Sequence, residues 1–134
     1  MKDPVSILRS YYDAFNRGDW EGMVALLSEE VIHDANQGGS SKGRQAFREF
    51  LQEMAVHYRE KLTDFCFLSH PDGTRAAAQF LCHGTYLKTQ PGLPEAKGQT
   101  YMLPVGAFFE LKDGQIVRIT NYYNLPDWIR QVKG

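Results

Sequence analysis

Residues 101–111, YMLPVGAFFEL, form a stretch in which both alternating sets of side chains are apolar or small. One set is Tyr101, Leu103, Val105, Ala107 and Phe109, and the other is Met102, Pro104, Gly106 and Phe108. An antiparallel strand that is apolar on both faces should be covered on both faces. The stretch therefore predicts a sheet with helices against one face and a second copy of the chain against the other.

Turn signals on either side of this strand extend the sheet. The segments HPDG (70–73), KTQPGLPEAKG (88–98) and KDG (112–114) separate four strands from Leu62 onward. Apolar side chains at spacings of three and four predict helices over 4–17, 20–30 and 44–61, with one short strand between the second and the third. Asp3 can cap the first helix, and Gly18 should end it. This order predicts an α+β fold with a mostly antiparallel sheet.

Length and composition indicate one globular domain over residues 1–134. The chain is 43% hydrophobic and 13% aromatic, with 15 Lys and Arg against 16 Asp and Glu. Basic residues do not cluster, so we expect no nucleic-acid partner. No apolar run approaches the ~18 residues of a membrane span, so we expect no membrane association and a cytoplasmic location.

The stretch VIHDANQGG (31–39) places a carboxylate next to an apolar strand. If Ile32 faces the core, the strand period of two turns Asp34 and Asn36 toward the same side and turns His33 to the opposite side. A carboxylate in an apolar cleft has a shifted pKa, which suits it to proton transfer. The alternative is that Asp34 is an Asx-turn or helix-cap residue entering the following loop.

The sequence carries no sign of a bound metal or cofactor. The four histidines lack ligand spacing such as H-x-x-x-H. Phosphate-loop, dinucleotide and nucleophilic-serine motifs are absent as well. We therefore expect no metal and no cofactor.

Three stretches carry a family resemblance: YYDAFNRGDWEGMVALLSEEVIHD (11–34), GRQAFREFLQEM (43–54) and DGQIVRITNYYNLPDWIRQV (113–132). They resemble the ketosteroid-isomerase and SnoaL-type polyketide-cyclase branch of the NTF2-like superfamily, and more narrowly the ketosteroid-isomerase-related proteins. The resemblance implies a cystatin-like cone, with three N-terminal helices packed against a curved sheet. It also implies a ligand cavity at the open end and a homodimer formed through the sheet.

The resemblance also implies site residues. Asp34 matches the general base of the isomerases, and Tyr11 matches their tyrosine hydrogen-bond donor. Gly106 occupies the position of their second, acidic donor, so that donor is missing. Asn124 stands where SnoaL-type relatives often carry a carboxylate. The substrate contacts that we assign are Asn36, Phe80, Gly106, Phe108, Asn121 and Tyr123.

Two classes of function follow from this sequence. The first is a cofactor-independent isomerase or polyketide-cyclase-like enzyme, in which Asp34 moves a proton of a small apolar carbonyl compound. Tyr11 and Asn121 would then stabilise the developing oxyanion. The second is a protein that only binds a hydrophobic small molecule, because one fold hosts both activities. An epoxide-hydrolase-like enzyme is a third hypothesis, weakened by the missing second acid.

Overall fold

The computed structural model of the protein describes residues 3–35 and 37–133, beginning with a capped helix. Helix α1 (Pro4–Asn16) starts as the sequence predicts, because the Asp3 side chain accepts a hydrogen bond from the Ser6 N–H. It ends at Asn16, and Gly18, two residues later, has a φ of 72° in the left-handed region that favours glycine. Its inward face buries Ile7, Leu8, Tyr11, Tyr12 and Ala14.

The second helix is shorter than predicted. Helix α2 (Trp20–Val24) stops before the predicted end at residue 30, and strand β1 (Leu27–Asp34) follows almost at once. The Ile116 N–H donates to the Leu26 carbonyl over 3.0 Å, which joins this segment to the sheet. Sheet pairing therefore overrides the helical periodicity of residues 25–30.

The third helix also ends early. A short strand, β2 (Ser40–Lys42), precedes helix α3 (Arg44–His57), and strand β3 (Tyr58–Ser69) begins directly after it. Residues 58–61 were predicted as helix, but they pair with residues 83–86 of the next strand, β4 (Arg75–Tyr86). This early end puts Tyr58 and Glu60 on the sheet instead of on a helix.

The remaining strands complete one curved, open sheet. They are β4 (Arg75–Tyr86), β5 (Thr100–Lys112) and β6 (Gln115–Tyr123), and the strand order is β2-β1-β6-β5-β4-β3. Strands β1 and β6 run parallel, and the other neighbours are antiparallel. The predicted α+β class is confirmed.

A fourth helix, α4 (Leu125–Lys133), was not predicted and covers the start of β5. The Gln131 side chain forms two hydrogen bonds of 2.9 Å with the backbone N–H and carbonyl of Met102. Trp128 is buried beneath the helix. None of the helices in the described residues has the length and apolar character needed to cross a membrane.

The two faces of β5 have different environments. Its odd-numbered side chains from Tyr101 to Leu111 face the helices, and all except the half-buried Val105 are buried. On the outer face, Met102 is 46% exposed and Phe108 is 52% exposed. The helices thus cover one face alone, and the second copy predicted for the other face stays a prediction.

Candidate functional site

A cavity of about 810 Å³ lies between the helices and the concave face of the sheet. Most of its wall is aromatic or aliphatic, and α1, α3, β4 and β5 supply much of it. The principal apolar wall residues are Tyr11, Tyr12, Phe15, Trp20, Phe47, Phe50, Leu51, Phe80, Leu103, Val105 and Trp128. A cavity of this volume and lining is typical of sites for small, largely apolar molecules.

Two loops contribute to the cavity wall. Gln37 and Gly38 come from the loop between β1 and β2, and Gln90, Pro91 and Leu93 come from the loop between β4 and β5. Tyrosine hydroxyls hold the second loop against the sheet. The hydroxyl of Tyr58 donates to the Gln90 side chain. The hydroxyl of Tyr86 donates to the Pro94 carbonyl over 2.7 Å.

The Asp34 side chain does not line this cavity, so the predicted orientation is wrong. Strand β1 turns Val31 and His33 inward, and Asp34 therefore faces outward beside Thr120 of β6. Its carboxylate accepts hydrogen bonds from Arg118, Thr120 and Ser40. These donors, above all Arg118, hold the pKa of Asp34 well below its ordinary value. Its carboxylate is therefore a weak proton acceptor.

The orientation of Asp34 was predicted wrongly because alternate residues of β1 face opposite sides of the sheet. Val31 and Ile32 are both apolar, so the sequence permits either of them to face the core. A shift of one residue exchanges the two faces of a strand. The same shift applies to β5, where Gly106 and Phe108 lie on the outer face and do not line the cavity. Their assignment as substrate contacts is therefore wrong.

The remaining predicted site residues are four that line the cavity and one that the structure does not describe. Tyr11, Phe80, Asn121 and Tyr123 all line the cavity. Asn36 lies outside the described residues. The structure thus brings the helix α1 tyrosine and the β6 polar residues to one cavity, without the carboxylate predicted to act between them.

His33 occupies the position in the wall that Asp34 was expected to fill. It is buried, with ring centroids 5.1 Å from Phe47 and 4.5 Å from Phe50. The Asn121 side-chain nitrogen lies 3.4 Å from His33 Nε2. Burial lowers the pKa of His33, although the Asp34 carboxylate opposes this shift. His33 is therefore neutral at pH 7 and able to accept a proton.

Tyr11 supplies a neutral hydroxyl to the same region. Its ring packs edge-on against Phe109 at 5.5 Å and lies 6.5 Å from Phe47. No residue in the described part of the chain forms a hydrogen bond with its hydroxyl. Burial raises the pKa of Tyr11, so the hydroxyl keeps its proton and can donate it to a bound oxygen.

A second polar group lies elsewhere on the cavity wall. Glu60 of β3 accepts a hydrogen bond of 2.5 Å from the Tyr101 hydroxyl of β5. Both residues line the cavity, as does Cys82 of β4. Burial raises the pKa of Glu60, although hydrogen bonds from Tyr101 and Cys82 oppose this shift. The cavity therefore contains a carboxyl group, but not the predicted one.

Sequence reasoning missed His33 and Glu60 for related reasons. His33 was assigned to the strand face opposite Asp34, and that face proved to be the inner one. Glu60 stood in a segment interpreted as helix, where a charged residue is normally solvated. The available signal was alternation, because a strand over 58–62 places Tyr58, Glu60 and Leu62 on one face.

Comparisons with known proteins agree with the fold and with the resemblance. Residues 8–119 match the SnoaL-like domain family. A candidate polyketide cyclase from Xanthomonas campestris pv. campestris is 53% identical over 96% of each chain, with a TM-score of 0.93. Another, from Pseudomonas putida KT2440, is 50% identical over 98% of this chain and 99% of that chain, with a TM-score of 0.96.

More distant structures share the fold alone. An NTF2-like protein of unknown function from Burkholderia pseudomallei is 19% identical over 100% of each chain, with a TM-score of 0.84. A comparison with curated proteins found no match. Within residues 3–35 and 37–133, no group of three or more His, Cys, Asp or Glu side chains could hold a metal ion.

Proposed function

The chain belongs to the SnoaL-like domain family, and from this premise we propose that it is an acid–base enzyme. It moves a proton on the carbon next to the carbonyl group of a small, largely apolar compound. The reaction is an isomerisation or an aldol-type cyclisation. Structural relatives described as candidate polyketide cyclases support this class of reaction at 53% and 50% identity.

The observation that carries the proposal is the position of the His33 side chain, which is buried in the apolar cavity wall. A general base must be unprotonated at the working pH, and burial among Phe47 and Phe50 favours that form. His33 replaces Asp34 in this role, because Asp34 is ion-paired with Arg118 outside the cavity. A positioned base contributes roughly 10²–10⁴-fold to a proton transfer.

Tyr11 and Asn121 complete the proposed site. Removing a proton next to a carbonyl places negative charge on its oxygen, and donors fixed in an apolar site stabilise that charge. The Tyr11 hydroxyl is protonated and makes no hydrogen bond with a described residue. The amide of Asn121 lies beside His33, so base and donor can contact one substrate.

Proton exchange tests this proposal. Simple methyl ketones with apolar chains are incubated in D₂O with the protein, and deuterium uptake next to the carbonyl is followed by NMR. We expect uptake with the wild-type protein, a loss of about a hundredfold or more in His33→Gln, and a loss of roughly tenfold to a hundredfold in Tyr11→Phe. His83→Gln is the matched control, because His83 is an exposed histidine bonded to Thr63.

A binding protein without catalysis is the alternative, supported by the predominantly apolar wall of the cavity. It predicts tight binding of apolar fluorophores together with no deuterium uptake by any variant. Uptake that is equal in wild type and His33→Gln, and lost in Asp34→Asn, would restore Asp34 as the base. A homodimer through the sheet and a cytoplasmic location remain proposals beside this one.

A further inference from the structure

Glu60, Gly84 and Tyr101 form a row across three neighbouring strands. Glu60 of β3 is the register partner of Gly84 in β4, and Gly84 is the partner of Tyr101 in β5. Side chains of partnered residues point to the same face of a sheet, and here that face lines the cavity. The row therefore places a carboxyl group and a phenol together on the cavity wall.

The glycine in this row allows the other two side chains to meet. A Cβ atom at Gly84 would lie 2.2 Å from Tyr101 Cζ and 2.3 Å from the Tyr101 hydroxyl oxygen. With no side chain there, Tyr101 crosses β4, and its hydroxyl reaches Glu60 Oε2 at 2.5 Å. Trp128 of α4 packs edge-on against the Tyr101 ring at 5.8 Å. Four elements, β3, β4, β5 and α4, thus hold one hydrogen bond in place.

The Glu60 carboxyl has no cationic partner among the residues that the structure describes. Titratable groups facing it come from each strand around it: Tyr58 of β3, Cys82 of β4, Tyr101 of β5 and Tyr123 of β6. All four have raised pKa values and are neutral at pH 7. Glu60 is thus surrounded by neutral groups, which favours its protonated form.

We infer that Glu60 and Tyr101 form a second polar subsite, which binds a neutral carbonyl or hydroxyl oxygen at the end of the ligand away from His33. This inference rests on the proposed function for the reacting end and names the substrate class: an elongated, mostly apolar carbonyl compound with a second, uncharged oxygen. A protonated carboxyl donates a hydrogen bond to such an oxygen. A ligand carboxylate or phosphate would instead face an acid that forms no ion pair within residues 3–35 and 37–133.

The sheet register separates the two polar groups. Asn121, which lies beside His33, is partnered with Ala107 of β5, whereas Glu60 belongs to the row of Tyr101. Six residues of strand separate Tyr101 from Ala107, or about 20 Å of backbone at ~3.3 Å per residue. Leu103, Val105 and Phe80 line the cavity between them. A ligand that reaches both groups is therefore long and apolar in its middle.

Binding, measured by calorimetry without reference to turnover, tests the subsite. The probes are medium-chain methyl ketones of equal length that differ at the far carbon, which carries a methyl, hydroxyl, acetyl, carboxylate or ammonium group. For the wild-type protein at pH 6 we expect the hydroxyl and acetyl probes to bind roughly threefold to tenfold more tightly than the methyl probe, as one net hydrogen bond implies. The carboxylate probe should bind most weakly.

Variants test whether the Glu60 carboxyl itself, and not the surrounding wall, gives the preference for a ligand oxygen. Glu60→Gln keeps a hydrogen-bond donor and should keep the preference for an oxygen, whereas Glu60→Leu should lose it. Tyr101→Phe tests the same preference if Glu60→Leu fails to fold. Glu49→Gln on the exposed face of α3 and Tyr122→Phe on the outer face of β6 are the matched controls. Neither control should change the preference.

The pH dependence gives an independent readout. The preference for an oxygen should disappear as rising pH removes the proton of Glu60, and it should persist in Glu60→Gln. Equal binding of all neutral probes would overturn the subsite. So would tightest binding of the ammonium probe with a gain as pH rises, which would indicate a cation site. An oxygen preference without deuterium uptake would leave the subsite standing and reject the proposed enzyme.

Discussion

The Arg118 guanidinium of β6 donates two hydrogen bonds to the Asp34 carboxylate of β1, over 2.8 Å from Nε and 3.1 Å from Nη2. The pair joins the two parallel strands on the outer face of the sheet. Thr120 donates a third hydrogen bond over 2.7 Å. A carboxylate held in this way stabilises the junction between the first and last strands and has little tendency to take up a proton.

Replacing Asp34 with Asn should therefore change stability more than activity. We expect deuterium uptake within about twofold of wild type and a loss of about 1 kcal/mol in the free energy of unfolding. The expected loss of stability is small because the Arg118 side chain is 41% exposed, and solvent screens an exposed ion pair. Urea unfolding measures the second quantity, and Glu29→Gln, at an exposed carboxylate of β1, serves as the control.

The same pair predicts a pH dependence of stability. The pKa of Asp34 is lower in the folded protein than its ordinary value near 4, so the folded state favours the carboxylate. The contribution of the Asp34–Arg118 pair to the free energy of unfolding is complete above about pH 4 and is lost as the pH falls below that value. Asp34→Asn should flatten this part of the stability profile. An unchanged profile would mean that the pair contributes nothing.

The rate of proton exchange should follow the titration of His33. Burial lowers its folded pKa below the ordinary value of about 6.5, so the neutral base persists at that pH and above. Activity should be level from about pH 8 to pH 6.5 and should fall only at lower pH, as the imidazole takes up a proton. The substrates for this measurement are ketones without a second oxygen, because such ketones offer no group that binds Glu60. A fall centred at or above pH 6.5 would contradict this assignment.

A methyl group at Gly84 should separate Tyr101 from Glu60. Gly84→Ala places its Cβ inside contact distance of the Tyr101 ring, so the ring must move. Overpacking of this kind costs about 1–3 kcal/mol, measurable by thermal unfolding. The preference for a ligand oxygen should also be lost. Gly106→Ala is the matched control, because its nearest contact is the Phe108 ring at 3.9 Å.

His57 should control the mobility of the loop between β4 and β5. Its buried ring lies 2.9 Å from the Lys88 carbonyl and 2.8 Å from the Glu53 carboxylate. His57→Leu should release residues 87–93 and increase their amide hydrogen exchange, while Glu53→Gln should do so less, because the bond to Lys88 remains. Unchanged exchange in His57→Leu would show that the tyrosine contacts and the backbone hydrogen bond from the Leu87 N–H to the His57 carbonyl are enough to hold the loop.

The outer face of the sheet should form the predicted homodimer. Met102, Phe108 and Tyr122 are all exposed there, and an apolar patch of this kind usually contacts another protein. Light scattering should give a dimer for the wild-type protein and a monomer for Phe108→Lys. Val56→Lys, an exposed apolar position on α3, is the control and should remain dimeric.

Local signals in the sequence determined much of the architecture. The cap at Asp3, the stop at Gly18 and the turns before β4 and β6 depend on residues close in sequence, and the structure has them as predicted. The junction at His57 and Tyr58 was misjudged because residues 58–61 are one tyrosine followed by three charged residues, which is also typical of the solvated end of a helix. Residues 58–61 become strand rather than helix because they pair with β4, which is distant in sequence.

The candidate site depended more strongly on distant contacts. Asn121 and Tyr123 line the cavity, and it was the family resemblance, rather than the local pattern of β6, that placed them there. In β1 both faces start with an apolar residue, and pairing with β6 determines that His33 faces inward. Glu60 and Tyr101 lie forty-one positions apart in the chain. Only the assembled sheet brings them together.

Strand β6 lies between β1 and β5, so the last strand of the sheet in chain order occupies a central position in it. During synthesis, the hairpin of β1 and β2 cannot join the other strands until β6 has left the ribosome. Folding of this topology is consequently a late, concerted event rather than a gradual one. Premature termination before residue 115 should yield a product without a stable sheet, which proteases would degrade.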